Sequence, residues 1–248
     1  MSATSFSFEY AYLVLAAAAA GAYAWAARSD RPSRGRAALF ALGIVLIAAS
    51  LNSPLETIAA KRLLLIHLLQ NALIADIAPL FLLLGLTPSM RAWLSEHGAS
   101  RLRARYALPA WLLAWYGTHI AGFYTWALDT GWALNIEHAI LIAGGLVFWW
   151  PIVSGRLSSP AALAYLGAGF VGSSFLGLAL TFASRPLYPF YATTPRLWGL
   201  SPVRDQNLGG ILMNAEQTLV FLIVIGWFVW RLLEEEHVSG ADRSPAAR

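Results

Sequence analysis

LLLIHLLQNALIADIAPLFLLLGL, residues 63–86, is the stretch that decides the fold. It is apolar over more than the roughly 20 residues that carry a helix across a bilayer. A strand would be far shorter and would alternate in polarity. His67 and Asp76 are its only ionisable members, beside the amides Gln70 and Asn71. Pro79 has no N–H to give, so it predicts a kink and a freed carbonyl near Asp76, tolerable where neighbouring protein covers the exposed backbone.

Working outward, six further apolar runs lie at Phe8–Ala27, Ala37–Leu51, Ala107–Tyr124, Asn135–Ile152, Ala161–Phe182 and Leu208–Leu232. Together with Leu63–Leu86 they predict an all-α polytopic membrane protein, a seven-transmembrane-helix bundle. The second run is short and is expected to extend through Asn52-Ser53-Pro54 toward Ala60 as a Pro-kinked or re-entrant end. Residues 1–233 are expected to form one transmembrane domain, and residues 234–248, charged and rich in small side chains, a flexible tail.

Composition excludes a soluble domain. The 248 residues are 58% hydrophobic and 12% charged, with 11 Trp and a mean hydropathy of +0.58; soluble domains average roughly 25% charged. Such a chain cannot cover itself with polar surface, so lipid must be its solvent. The net charge of +4 does not point to nucleic acid, because the Arg residues sit in short loops between apolar runs rather than on one polar face. Without cysteine there are no disulfides or thiolate ligands. A metal would have to be held by His, carboxylate or Met.

Alternate loops differ in Lys and Arg, and this sets the expected orientation. One set holds Arg28, Arg31, Arg34, Arg36, Arg91, Arg101, Arg103, Arg105, Arg156 and Arg231; the other holds Lys61, Arg62, Arg185, Arg196 and Arg204. The richer set is expected to face the cytoplasm, giving an N-outside, C-inside topology. The leading residues agree: they carry Glu9 and no Lys or Arg, unlike a cleavable signal peptide.

Ionisable side chains inside a bilayer are costly, so each is a functional candidate. His67, His119 and His138 fall in three different spans, and the topology brings all three to the outer leaflet. Glu137, Asp129, Asp205 and Gln206 lie at the same level, and Met213 about one and a half turns further in. Imidazole, carboxylate and thioether suit copper, and imidazole also suits zinc. The plainer alternative is that a His near a helix end bonds a neighbouring carbonyl. His97 and His237 read as solvated. Asp76 and Glu216 lie deeper, the latter beside Asn214 and Gln217, either as proton-relay or substrate groups or as neutral packing residues. The aromatic clusters Phe148-Trp149-Trp150 and Trp111/Trp115/Tyr116 are expected in the interfacial belt.

At these residues the chain resembles a known family. His67-Leu-Leu-Gln70-Asn71 running on to Ala78-Pro79-Leu80 and Leu84-Gly85 carries the likeness, as do Glu137-His138 with Phe148-Trp149-Trp150-Pro151. So do Arg185-Pro186-Leu187-Tyr188-Pro189-Phe190-Tyr191 and Trp198-Gly199-Leu200-Ser201-Pro202 leading into Asp205-Gln206-Asn207-Leu208-Gly209-Gly210. These resemble the seven-helix bacterial CtaG-type cytochrome c oxidase assembly factors, over about two-thirds of the chain. The resemblance implies a metallochaperone-like role: copper handling, or support of the nascent oxidase catalytic subunit or another respiratory membrane subunit, at the periplasmic side of the bacterial inner membrane. The family pattern has a second His where this chain has Asn71, and often a further His where it has Leu134 and Asn135, so the chain resembles a divergent member. Asn is a poor copper ligand.

The expectation is thus an assembly factor that holds copper at His67, His119 and His138, with Glu137, Asp205, Gln206, Met213 and Asn71 in support. Its rivals are a structural subunit without metal, which Asn71 favours, a bis-His haem protein, and a transporter using Asp76 and Glu216. No nucleophile elbow, P-loop, HExxH or nucleotide-binding Gly-rich loop is present, so no catalytic activity is expected. Self-association is left open.

Overall fold

The computed structural model describes residues 5–242, and among them there are only helices and their connections. In chain order they are α1 (Tyr10–Ala26), α2 (Arg34–Leu51), α3 (Pro54–Lys61), α4 (Leu64–Ala72), α5 (Ala78–Gly85), α6 (Pro88–Glu96), α7 (Ala104–Thr118), α8 (Ala121–Asp129), α9 (Gly131–Val153), α10 (Ser159–Phe182), α11 (Pro189–Thr193) and α12 (Pro202–Asp242). Five helical stretches are long and apolar enough to cross a membrane: Arg34–Leu51, Leu64–Gly85, Gly131–Val153, Ser159–Phe182 and Pro202–Glu235. Tyr10–Ala26 is a shorter apolar helix. α12 runs on past the expected domain end at residue 233 without a break; residues 243–248 of the expected tail lie outside the described residues.

Local chemistry sets the boundaries. Ser33 caps α2 by accepting from the Arg36 N–H, and Ser53 caps α3, which starts on Pro54. Thr87 caps α6 ahead of Pro88. These Ser/Thr caps satisfy N–H groups that the helix itself leaves unpaired. The expected extension of the second run is a separate helix: α2 stops at Leu51, and α3 follows the Asn52-Ser53 break.

α4 passes into α5 through a π-helical turn, Leu73–Ile77. Pro79 is the cause. It offers no N–H to the carbonyl of Ala75, four residues back, and its ring would strike that carbonyl in a regular α-helix. The turn widens, and the Ala75 carbonyl is released toward α9 at Gly145. A Cβ at Gly145 would lie 1.9 Å from that oxygen and 2.8 Å from the Pro79 ring. Only glycine lets the two backbones meet.

Two sequence expectations are corrected here. The run Ala107–Tyr124 is not one helix: α7 ends at Thr118, and α8 restarts at Ala121. Thr118 and His119 turn their side chains onto the carbonyls of Ala114 and Trp115, closing the helix by local bonding that hydropathy does not register. The second correction concerns the aromatics. Trp111, Trp115, Phe148, Trp149 and Trp150 are 0–2% exposed and belong to the core rather than to an interfacial belt. Phe148 stacks on Tyr165 and lies 4.2 Å from Trp111, centroid to centroid. Glycines make room for them: a Cβ at Gly169 would meet the Phe148 ring at 2.9 Å.

α10 packs along α12, α2 along α5, α7 along α9, and α12 along α4. One end of the bundle gathers Glu9, Asn52, Asn135 and the three span histidines. There the Glu9 N–H donates to Asn52 Oδ1 at 2.7 Å and the Asn135 amide to Glu9 Oε2 at 2.8 Å. The opposite end carries the Asp30–Ser89 bond and Arg91, whose Nη1 donates to the Val153 carbonyl at 2.8 Å.

Candidate functional site

The polar cluster at the first end is built from five elements. α4 supplies His67, Gln70 and Asn71; α9 supplies Glu137 and His138; His119 is the C-cap of α7; Tyr124 comes from α8 and Tyr191 from α11. Each of these side chains is buried, and His67, Asn71, Glu137 and His138 are fully so. The His67 ring lies 6.2 Å from the His138 ring and 4.9 Å from that of Tyr124, which stands 5.7 Å from His119 on its other side.

The hydrogen bonds assign the tautomers. Tyr191 spends its only proton on the Ala59 carbonyl at 2.5 Å, so toward His67 Nδ1, 2.8 Å away, it can only accept. His67 therefore carries a proton on Nδ1, so that Nε2 is the bare, lone-pair nitrogen of the neutral ring. His119 Nδ1 lies 2.7 Å from the Trp115 carbonyl, which can only accept, so its Nε2 is bare as well. Neither Nε2 has a hydrogen-bond partner among the described residues, nor does either nitrogen of His138, Oε2 of Glu137 or the Tyr124 hydroxyl. His67 Nε2 faces Glu137 Oε1 at 3.4 Å. Two acceptors held that close in a desolvated setting need a proton or a cation between them.

Imidazoles oriented through Nδ1 with free Nε2 lone pairs have the chemistry of metal ligands with a protein-held outer shell. The placement is looser than the chemistry: among the described residues no group of three or more His, Cys, Asp or Glu side chains is arranged to hold one metal ion. Asn71 gives its amide to Glu137 Oε1 at 3.4 Å, and its own Oδ1 has no partner among the described residues.

The other supporting residues do structural work. Asp205 accepts from the Leu64 and Leu65 N–H groups at 3.0 and 2.9 Å, and from Arg196 Nη2 at 2.8 Å. It thus caps the α4 N-terminus from α12, a placement that also suits the helix dipole. Gln206 accepts from the Leu187 N–H and donates to the Arg185 carbonyl, fixing the segment before α11. Met213 is packed in the apolar core. Asp129 is exposed, as are His97 and His237. Asp76 and Glu216 lie away from this end.

Sequence reasoning missed the tyrosines and the Glu56–Gln70 pair. Tyr188 donates to the His119 carbonyl at 3.0 Å, and with Tyr191 it belongs to the Pro186-Leu-Tyr-Pro-Phe-Tyr stretch that carried the family likeness. Gln70 Nε2 donates to the Ser50 carbonyl at 2.8 Å and to Glu56 Oε2 at 2.5 Å. Glu56, on the α3 connection between spans, is 2% exposed; burial pushes its carboxyl up to about 7, against the pull of the Gln70 N–H and the His67 imidazole. The folded chain therefore keeps a proton that the unfolded chain releases near the ordinary value of 4.5. The stabilisation is complete below that value and is lost as pH rises through about 7. In detergent, the thermal midpoint followed by Trp fluorescence is expected to fall across that window, and Glu56→Gln to flatten the fall.

A family model described as the cytochrome c oxidase caa3 assembly factor matches residues 16–235. No curated protein and no solved structure matches the chain.

Proposed function

The chain belongs to the cytochrome c oxidase caa3 assembly factor family, and we propose that it serves oxidase assembly by presenting the buried imidazoles of His67, His119 and His138 to copper as cargo. The observation that carries this reading is the pair of bare Nε2 atoms whose tautomers are set by Tyr191 and the Trp115 carbonyl, next to a carboxylate that faces one of them. Neutral imidazole lone pairs are what a copper ion takes from a protein without cysteine. Glu137 would offset the charge of the cargo, and the tyrosines would hold the rings in place. Gathering all three donors on one ion requires side-chain movement, which fits transfer of cargo better than permanent retention.

In this reading the bundle has seven spans, with α4 and α5 forming one and α7 and α8 occupying the fourth. The histidine end, poor in Lys and Arg, is periplasmic, and the membrane is the bacterial inner membrane. The partner is the oxidase catalytic subunit, and no turnover is proposed. Asn71, a weak ligand in the place of a family His, favours a second reading in which the cluster only supports the nascent subunit without metal. Purification from native membranes followed by metal analysis separates the two. Co-purification of an oxidase subunit with stoichiometric copper supports the first, and co-purification without copper or zinc leaves only the second.

A further inference from the structure

Deeper in the bundle lies a polar group that the copper reading does not use. Asp205 bonds to Leu64 across a separation of 141 residues. The same offset recurs one turn on, where a Cβ at Gly209 would lie 2.6 Å from Leu68 Cδ1. α4 and α12 thus leave the same end in parallel and in register. Carried two turns further, that register sets Gln217 level with Asp76, about 18 Å along the helix from Leu64 at 1.5 Å per residue. The neighbouring residue on α12 is Glu216.

Asp76 is fully buried and Gln217 is 1% exposed. Neither oxygen of Asp76, neither oxygen of Glu216, and neither polar atom of Gln217 makes a well-formed hydrogen bond among the described residues. The groups that act on the two carboxyls are each other and the Gln217 amide. α2, α9 and α12 all pack against the turn that carries Asp76, and none brings another titratable side chain to bear on it. Two neighbouring carboxylates that act on each other at this depth, with no Lys or Arg among the described residues acting on either, cannot both stay ionised. An amide suits the place of a third member, since it can accept from a protonated carboxyl or donate to an ionised one. Asp76 also stands in the π-helical turn, a distortion that recurs at functional positions.

We propose that Asp76, Glu216 and Gln217 form a proton-binding site in the middle of the bundle, separate from the histidine end. The pair shares the bound proton between its carboxyl oxygens, and the Gln217 amide reorients to match its loading.

Infrared difference spectroscopy tests this through the C=O stretch of protonated carboxyl groups. The sample is the purified full chain in lipid nanodiscs, with Glu56→Gln present throughout, because the Glu56 carboxyl would itself add such a band at neutral pH. The expected result is a carboxylic-acid band at neutral pH that shifts in D2O and declines at alkaline pH. Asp76→Asn and Glu216→Gln, near-isosteric changes that preserve packing, should each remove part of the band, and the double variant should remove it all. Joint replacement of His67, His119 and His138 should leave it in place. The proposal is overturned if no such band exists at neutral pH, if the band ignores both D2O and alkali, if it survives in the double variant, or if it goes with the histidines. Loss of the band on adding sodium chloride at constant pH, against a potassium chloride control, would assign the oxygens to an alkali cation instead. Because the readout does not involve copper or the oxidase, failure of the cargo reading leaves this test intact.

Discussion

Replacing His67, His119 and His138 together with Ala is expected to leave the chain folded in the membrane while the oxidase made beside it loses about tenfold or more of its copper and activity. Ten- to a hundredfold is the usual loss when only the groups that orient metal ligands are removed, so loss of the ligands themselves should be at least as severe. The fold is expected to survive because the imidazoles supply only two of the bonds that hold this end together, His67 Nδ1 to Tyr191 and His119 Nδ1 to the Trp115 carbonyl. Tyr191 keeps the Ala59 carbonyl, Tyr188 bonds the backbone of residue 119, and the bare Nε2 atoms take no hydrogen bond with them when they go. Membrane levels and far-UV circular dichroism of the variant check folding, and copper and haem in the purified oxidase check function. Unchanged oxidase copper in a well-folded triple variant would reduce the cluster to packing.

The second large effect is expected at a glycine. Gly145→Ala should destabilise the bundle by about 3 kcal/mol or more, at the upper end of overpacking effects. The obstacle is a backbone carbonyl, which cannot rotate away as a side chain can: the new methyl would lie 1.9 Å from the Ala75 oxygen. That oxygen points outward because Pro79 offers it no N–H. Pro79→Ala should therefore rescue Gly145→Ala in part by letting the turn rewind, with a coupling of about 1 kcal/mol or more. Gly226→Ala is the control. It meets nothing within 4 Å and should stabilise its helix by roughly 0.5–1 kcal/mol through backbone entropy. Denaturant or thermal titration of the four variants in detergent measures all of these, and additivity of the Gly145 and Pro79 effects would refute the interlock.

The apolar runs were legible because one variable, the length of sequence without charge, decides whether a segment suits lipid. Pro79 and its neighbourhood were legible for a covalent reason, the missing N–H. The gathering of His67, His119 and His138 at one end was also legible, since alternating spans and loop charges place each His without knowledge of its neighbours. What escaped depends on partners far along the chain. Nothing near Trp111 or Phe148 shows that glycines on other helices make room for their rings, so both were read as interfacial. The tautomer of His67 is set by Tyr191, and the α4 N-terminus by Asp205, which the sequence placed at the level of the histidines without showing that it bonds two backbone N–H groups and Arg196. The break before Ile120 lies in two side-chain bonds that a hydropathy profile averages away.

The cap that Asp205 places on α4 has a consequence for the order of events during biosynthesis. His67 stands one turn inside the helix start that Asp205 secures, yet Asp205 leaves the ribosome some 140 residues later, with the last span. Until that span is inserted, the first turn of α4 lacks its acceptor, and the His67 ring lacks a fixed base. The histidine cluster therefore gains its fixed base only after the helix that carries Asp205 has been inserted.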